Sequence, residues 1–343
     1  MKYQVASRRD FDAVRTLDET IYHQRGGYEL LEGDDVLIPA NRSYRPIDDQ
    51  SRGTNMIRDN YTNHDRVIND SVDDYTALRQ NERIVRIYGK QLLFLVSHQV
   101  NMLEEFSTNI ERNPHMSMEA TLLLKEVVAS LSDVGGDIDI GIYGSHQMGL
   151  NRYDSDLDVI AWARKENRKE EVDAICEFLR GEGYTPISEF DDAMKKYAKR
   201  YAKRTGLSED VGALLASQRM RWISPEGVST SLQCMHSDYD HEWAATVVNA
   251  GADGDYEILP ESLYSGVEVA GGSESYNFPR LWNVFVDGKE ADAFSFDWAH
   301  QNMGTDANEK YTMRARKIIN KLGKTVYFLS GPSDYLLPTS IVS

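Results

Sequence analysis

A chain of 343 residues is too long for one typical hydrophobic core, so roughly two or three domains are expected. Its 55 acidic against 38 basic residues leave a net charge of −17, which argues against a chain coated in phosphate-binding side chains; a polyanionic partner must meet a local basic patch. No apolar run of about 18 residues and no basic, apolar leader is present, so neither a membrane span nor a secretory signal is expected, and the cytoplasm is the default location. A high-salt cytoplasm would also favour so acidic a surface, because screening weakens self-repulsion. Cys176 and Cys234 are too far apart in sequence for a zinc motif and sit in apolar patterns, as buried thiols do.

Residues 1 to about 85 are polar, with strand patterns around Ala13 to Tyr28 and Asp35 to Ala40. Arg42-Ser43-Tyr44-Arg45-Pro46 joins cations to an aromatic ring, a combination that stacks a base, grips phosphate or simply covers surface. Asp48 to Asp73 has almost no periodicity and reads as a long loop. From Tyr88 to Asn109 the apolar residues Leu92, Leu93, Leu95, Val96, Val100 and Leu103 form a broad face, which predicts a helix. A second helix is predicted over Ser117 to Leu131, with Ser117 as N-cap, ending before Gly135-Gly136.

Ile138, Ile140 and Ile142 then alternate as a half-buried strand does, and Gly144-Ser145 breaks that period where the backbone must turn or approach a ligand. After a ten-residue gap a second strand, Ser155 to Trp162, puts Asp156, Asp158 and Ile160 on one face and Leu157, Val159 and Ala161 on the other. Two carboxylates about 7 Å apart on one strand face repel each other, and a hard cation such as Mg²⁺ or Mn²⁺ would relieve that repulsion. Gly144 and Ser145 suit a triphosphate, with backbone N–H groups and a hydroxyl at the start of a short helix over 146 to 151. The plainer alternative is a Gly-Ser turn followed by a polar strand edge.

The full arrangement of apolar strand, Gly144-Ser145, ten-residue gap and Asp156-Leu157-Asp158-Val159 resembles the signature of the DNA polymerase beta superfamily of nucleotidyltransferases. The resemblance implies that Gly144 and Ser145 bind the nucleotide phosphates and that Asp156 and Asp158 hold metal ions. It also implies a third carboxylate on a later strand.

A helix follows over Arg168 to Arg180, with Val172, Ile175, Phe178 and Leu179 as its buried stripe. Glu189 to Arg204 is a further helix, on which Lys196, Lys199, Arg200 and Lys203 recur at helical spacing as one cationic face suited to a phosphate backbone or triphosphate, or merely solvated. Arg219 to His236 reads as a hairpin turning at Pro225-Glu226-Gly227. Here the implied third carboxylate is missing: either Asp238 or Asp240 completes the metal site from the strand end, or Ser231 or Gln233 replaces the acid and catalysis is weakened or lost.

From Tyr256 the pattern becomes five short strands, Ser265 to Ala270, Leu281 to Val286, Ala291 to Trp298, Lys310 to Ile319 and Lys324 to Leu329, which suggest a small OB-like barrel. Trp282, Phe285, Trp298, Arg314, Arg316 and Lys317 are candidates for a nucleic-acid face on it, or for its core. The layout as a whole resembles mostly archaeal nucleotidyltransferase-domain proteins with a C-terminal barrel, through Arg9-Asp10-Phe11, the 144 to 158 motif, and Gly266-Val267-Glu268, Ser273-Glu274-Ser275 and Phe278-Pro279.

The expected fold is α+β: an N-terminal accessory region at 1–87, a polymerase beta-like nucleotidyltransferase core at 88–250 and an OB-like β-barrel at 256–343. The expected function is metal-dependent transfer of a nucleoside monophosphate from NTP to a hydroxyl acceptor, an RNA or DNA end. The alternatives are a catalytically degenerate nucleotide- or nucleic-acid-binding module and a transferase that modifies a partner protein.

Overall fold

The computed structural model describes every residue other than 7, 47–55, 59–77, 79, 98–101, 133–138, 153–154, 165, 167, 218–219, 255, 271–275, 298–299, 301–302, 305, 321–322, 330, 332 and 343. Most of the loop expected at Asp48 to Asp73, together with Ile138, Gly135-Gly136, Ser273-Glu274-Ser275, Trp298, Val100 and Arg219, lies outside the described residues. The described residues form a mixed α+β structure with three sheets and six α-helices. They divide into two compact units, one of 1–104 with 240–343 and one of 105–239, where the sequence suggests breaks near 88 and 250.

In the first unit, β1 (Lys2–Val5), β2 (Ala13–Thr16), β3 (Ile21–Gln24), β4 (Tyr28–Glu32) and β5 (Asp35–Pro46) open a sheet. The sheet continues with β6 (Met56–Arg58), β7 (Glu82–Ile87), β8 (Lys90–Val96) and β9 (Met102–Phe106). Its main order is β1-β4-β5-β3-β2-β9, with β8 also on β5 and β7 on β8. The helix expected over Tyr88 to Asn109 is therefore corrected to strands. Tyr88 and Gly89 both have positive φ, +49° and +77°, and Ile87 pairs with Lys90, so they make the two-residue turn whose twist matches an antiparallel hairpin. A short apolar run such as Leu92 to Val96 carries no period that separates a buried strand from a buried helix.

Arg42, in the Arg42 to Pro46 stretch, is engaged within the sheet. Arg42 forms an ion pair with Glu82, which is fully buried and also accepts from the Tyr22 hydroxyl at 2.7 Å. Ser43 Oγ and His23 Nδ1 are 2.5 Å apart. Arg42 and Ser43 thus bond within the sheet; the side chains of Arg45 and Pro46 lie outside the described residues.

The second unit contains α1 (Met118–Ser132), β10 (Asp139–Tyr143), β11 (Leu157–Ala163), α2 (Arg168–Gly181) and β12 (Thr185–Pro186). It continues with α3 (Asp191–Thr205), α4 (Glu209–Ser217), β13 (Met220–Ile223) and β14 (Ser229–His236). The sheet order is β10-β11-β14-β13-β12, with β11 and β14 parallel and the other pairs antiparallel. Ala120, Leu123, Leu124 and Val127 of α1 and Ile175 and Leu179 of α2 pack with Ile142, Leu157, Val159, Ala161 and Leu232 in one core. Each Leu, Ile or Val side chain among them contributes about 1.5–3 kcal/mol on burial. Cys234 belongs to this core and Cys176 packs against it, and burial pushes the Cys176 thiol up to about 11. α1 begins as the sequence predicts: Ser117 Oγ accepts from the Ala120 N–H at 3.2 Å.

Back in the first unit, α5 (His241–Ala252) is capped by Asp240, which accepts from the Trp243 N–H at 2.9 Å. The third sheet comprises β15 (Tyr256–Val269), β16 (Arg280–Val286), β17 (Lys289–Ser295), β18 (Lys310–Asn320), β19 (Thr325–Leu329) and β20 (Tyr335–Pro338), before α6 (Thr339–Val342). Strand β20 escapes the sequence reading because Tyr335-Leu336-Leu337-Pro338 is short and shows no alternation. The order is β15-β16-β17-β19-β18-β20, β15 also pairs with β18, and β17 and β19 run parallel. Asp287-Gly288, with φ +51° and +71°, turns β16 into β17. Trp282 is fully buried, donates to the Met303 carbonyl at 2.9 Å and belongs to the core, as do Phe294 and Phe328, stacked 4.5 Å apart.

Candidate active site

The β10–β11 pair brings the two halves of the Gly-Ser and Asp-Leu-Asp motif together. Tyr143, just before Gly144, pairs in register with Asp158. Gly144 has φ +75°, and a Cβ built there would stand 2.9 Å from Asp158 Oδ2, so glycine is what lets the start of the turn lie against that carboxylate. Leu157, Val159 and Ala161 point into the core with α1 and α2, which leaves Asp158 and Ile160 on the opposite face of β11; Asp156 precedes the strand, whose first residue is Leu157.

The short helix expected over 146 to 151 is corrected: turns run from 144 to 149, and 150 and 151 are irregular. The Leu150 N–H donates to the Ser145 carbonyl at 2.9 Å, and buried polar groups fasten the turns to the segment before α1. Asn113 Nδ2 donates to the carbonyls of Ser107 and Gln147, each at 2.7 Å, and Gln147 Nε2 donates to the Phe106 carbonyl at 2.9 Å. His146 Nδ1 stands 2.8 Å from Ser117 Oγ, and burial lowers the imidazole's pKa, favouring the neutral ring. A Cβ at Gly149 would meet the His115 carbonyl oxygen at 2.7 Å. The turn around Ser145 is thus held in place from outside the motif. His146 and Gln147 lay inside the ten-residue gap, where only their polarity distinguished them.

Parallel pairing of β11 with β14 sets Asp158 opposite Ser231, and Ser231 Oγ donates to Asp158 Oδ1. Tyr143 Oη lies 3.5 Å from Ser231 Oγ. Antiparallel pairing of β14 with β13 sets Ser231 opposite Arg221. Arg221 was not singled out in the sequence. Its Nη1 is 3.9 Å from Asp156 Oδ2 and donates to Tyr197 Oη at 2.6 Å, with the guanidinium 5.3 Å from the Tyr197 ring centroid. Asp156 is 54% exposed and Arg221 21%, so the pair borders solvent.

His236, the last residue of β14, pairs with Ala163 at the opposite end of β11 from Leu157, and Asp238 follows in a turn beyond the strand that carries Ser231. Asp240 caps α5. Position 231, level with Asp158, therefore carries a hydroxyl, not a carboxylate. Lys196, Lys199, Arg200 and Lys203 are exposed on α3, whose Ala198 and Tyr201 are buried. Gly212 of α4 lets the two helices approach, since a Cβ there would meet the Ala198 carbonyl at 2.3 Å.

Among the described residues, no three His, Cys, Asp or Glu side chains cluster as metal ligands. No helix among them is long and apolar enough to cross a membrane. Comparison with protein-family models, curated proteins and solved structures finds no match.

Proposed function

We propose that the chain is a metal-dependent nucleotidyltransferase that moves a nucleoside monophosphate from NTP to a hydroxyl acceptor, an RNA or DNA end, releasing pyrophosphate. The observation that carries this reading is the approach of the Gly144 main chain to the Asp158 carboxylate, with Asp156 two residues earlier, 3.9 Å from the Arg221 guanidinium. A triphosphate bound over the Gly144-Ser145 turn would thereby lie beside both carboxylates.

The residues fit Mg²⁺ or Mn²⁺. The donors Asp156, Asp158 and Ser231 are all oxygen, as a hard cation prefers, and Gly144, with no Cβ, keeps its side of the Asp158 carboxylate clear of a side chain. The Arg221 guanidinium already stands against Asp156 as a positive counter-charge. Bound there, the metal would neutralise phosphate charge and polarise the α-phosphate. The chain's own part is positional: the Gly144-Ser145 turn, fixed by Asn113, Gln147 and His146, would present backbone and hydroxyl to the phosphates, with the Asp158 carboxylate directly against it. The acceptor oxygen attacks the α-phosphorus, the bond to the bridging oxygen of pyrophosphate breaks, and the acceptor proton leaves to solvent or an adjacent carboxylate.

For the acceptor, support comes from the exposed cationic face of α3. The third sheet, paired from β15 through β16, β17, β19 and β18 with β15 also on β18, would serve this reading as an OB-like barrel. Its β16–β17 ribbon carries Asn283 bonded to Glu290, and Asp292 paired with Lys324, so it offers no continuous basic surface. Ser231 in place of an acid favours a second reading, a nucleotide- or nucleic-acid-binding module that no longer turns over. Transfer of label from each α-³²P-NTP to RNA, single-stranded DNA and lysate protein, with Asp158→Asn as control, separates the two. Label that disappears in Asp158→Asn supports the enzyme, and label on protein alone would redirect the acceptor. Absence of label from every acceptor refutes the transferase.

A further inference from the structure

Four side chains form one row across the sheet of the second unit: Tyr143 on β10, Asp158 on β11, Ser231 on β14 and Arg221 on β13. Two positions in that row decide its charge. Ser231, level with Asp158, brings a hydroxyl that donates to Asp158 Oδ1 and adds no negative charge. Arg221 reaches to 3.9 Å from Asp156, and its guanidinium stays protonated at any physiological pH. It is not loosely placed, because Tyr197 accepts its hydrogen bond at 2.6 Å and offers it a ring face.

Asp156, Asp158 and Arg221 together sum to one negative charge, whereas three carboxylates would supply three. A cation that arrives with a triphosphate takes much of its ligation from phosphate oxygens and needs only one or two carboxylates. A second cation, on the acceptor side, would depend on protein oxygens, and here one of those carboxylates is already paired with a fixed positive charge. We propose that this site takes a single divalent cation together with the nucleotide triphosphate, and that Arg221, held by Tyr197 against Asp156, supplies the positive charge a second cation would bring. The proposal rests on the nucleotidyltransferase reading and deepens it. Arg221 is then a positioning residue for Asp156, and Ser231 is what leaves the second cation site incomplete.

The test counts bound Mn²⁺ per full-length chain, by electron paramagnetic resonance of the free ion, at saturating non-hydrolysable NTP analogue. One ion is expected for the wild type and for Arg221→Lys, which keeps the charge. Two are expected for the double variant Ser231→Asp/Arg221→Ala, with folding checked by circular dichroism. In Arg221→Ala alone, Mn²⁺ affinity without nucleotide should rise up to about fivefold, the size of a solvent-bordering charge pair. Two ions in the wild type overturn the proposal and leave the nucleotidyltransferase reading standing. No retained Mn²⁺ or nucleotide overturns both. A folded double variant that still binds one ion shows that Ser231 and Arg221 do not set the count.

Discussion

Gly144→Ala puts a methyl group 2.9 Å from Asp158 Oδ2, in a backbone with φ +75°. An L-residue in that left-handed region costs about 1–2 kcal/mol. The crowded atom is the end of a side chain, so the contact is relieved by rotating the Asp158 carboxylate, and the fold loses little beyond the backbone cost. In a domain of this size that corresponds to a fall in Tm of roughly 5 °C. Activity pays more, because displacing a reacting-centre group by about 1 Å costs on the order of 100-fold. Gly149→Ala provides the contrast: its methyl group would meet the His115 main-chain oxygen at 2.7 Å, which cannot rotate away, so stability should fall further than in Gly144→Ala. Thermal unfolding and label transfer on both variants separate the effects. Gly144→Ala retaining half or more of wild-type transfer, with Tm reduced as expected, would falsify the role assigned to the Gly144–Asp158 approach.

Two further outcomes are expected. Burial moves His300 down to about 4 from 6.5 and Asp10 up to about 6 from 3.8, both fully buried in the first unit. As pH falls from about 6.5 to 4 the unfolded histidine gains a proton that the folded one resists, which lowers stability. Over about 6 to 3.8 the folded aspartate holds a proton more readily than the unfolded one, which raises stability as pH falls. The two slopes, each about 1 kcal/mol per pH unit, oppose one another. Denaturation of Asp10→Asn should therefore show stability dropping between pH 6 and 4 where the wild type changes little, and a variant as flat as the wild type would refute the opposition. Replacing Lys196, Lys199, Arg200 and Lys203 by Gln should reduce the salt dependence of single-stranded nucleic-acid binding by a slope of roughly 3 if all four contact phosphates. An unchanged slope would remove α3 from the acceptor path.

Several elements were legible locally. The helices α1, α2 and α3 lie within two residues of the limits predicted from apolar spacing and caps, because a helix with one buried stripe writes its period into its own sequence. The 220–236 hairpin was readable from its Pro-Glu-Gly turn. The β7–β8 hairpin was not, since Leu92 to Val96 is too uniformly apolar to show a period and the positive φ at Tyr88 has no reliable residue signature. The turn at 144 to 149 escaped for a related reason: His146, Gln147 and Asn113 satisfy its backbone through tertiary hydrogen bonds, so no helix is needed.

By itself the sequence determined that a strand ends at Gly144-Ser145 and that Asp158 lies on the face of the next strand opposite Leu157, Val159 and Ala161, because a two-residue alternation and a glycine break are local properties of the backbone. Only the tertiary structure decided what faces those aspartates. Ser231 and Arg221 stand 73 and 65 positions beyond Asp158 and Asp156, and strand register brings them there, while β14 ends at His236, opposite Ala163, before Asp238 is reached. Slipping that pairing by one residue would invert every face of β14, so the identity of the group beside Asp158 is a property of the sheet and its packed core, not of any short stretch of chain.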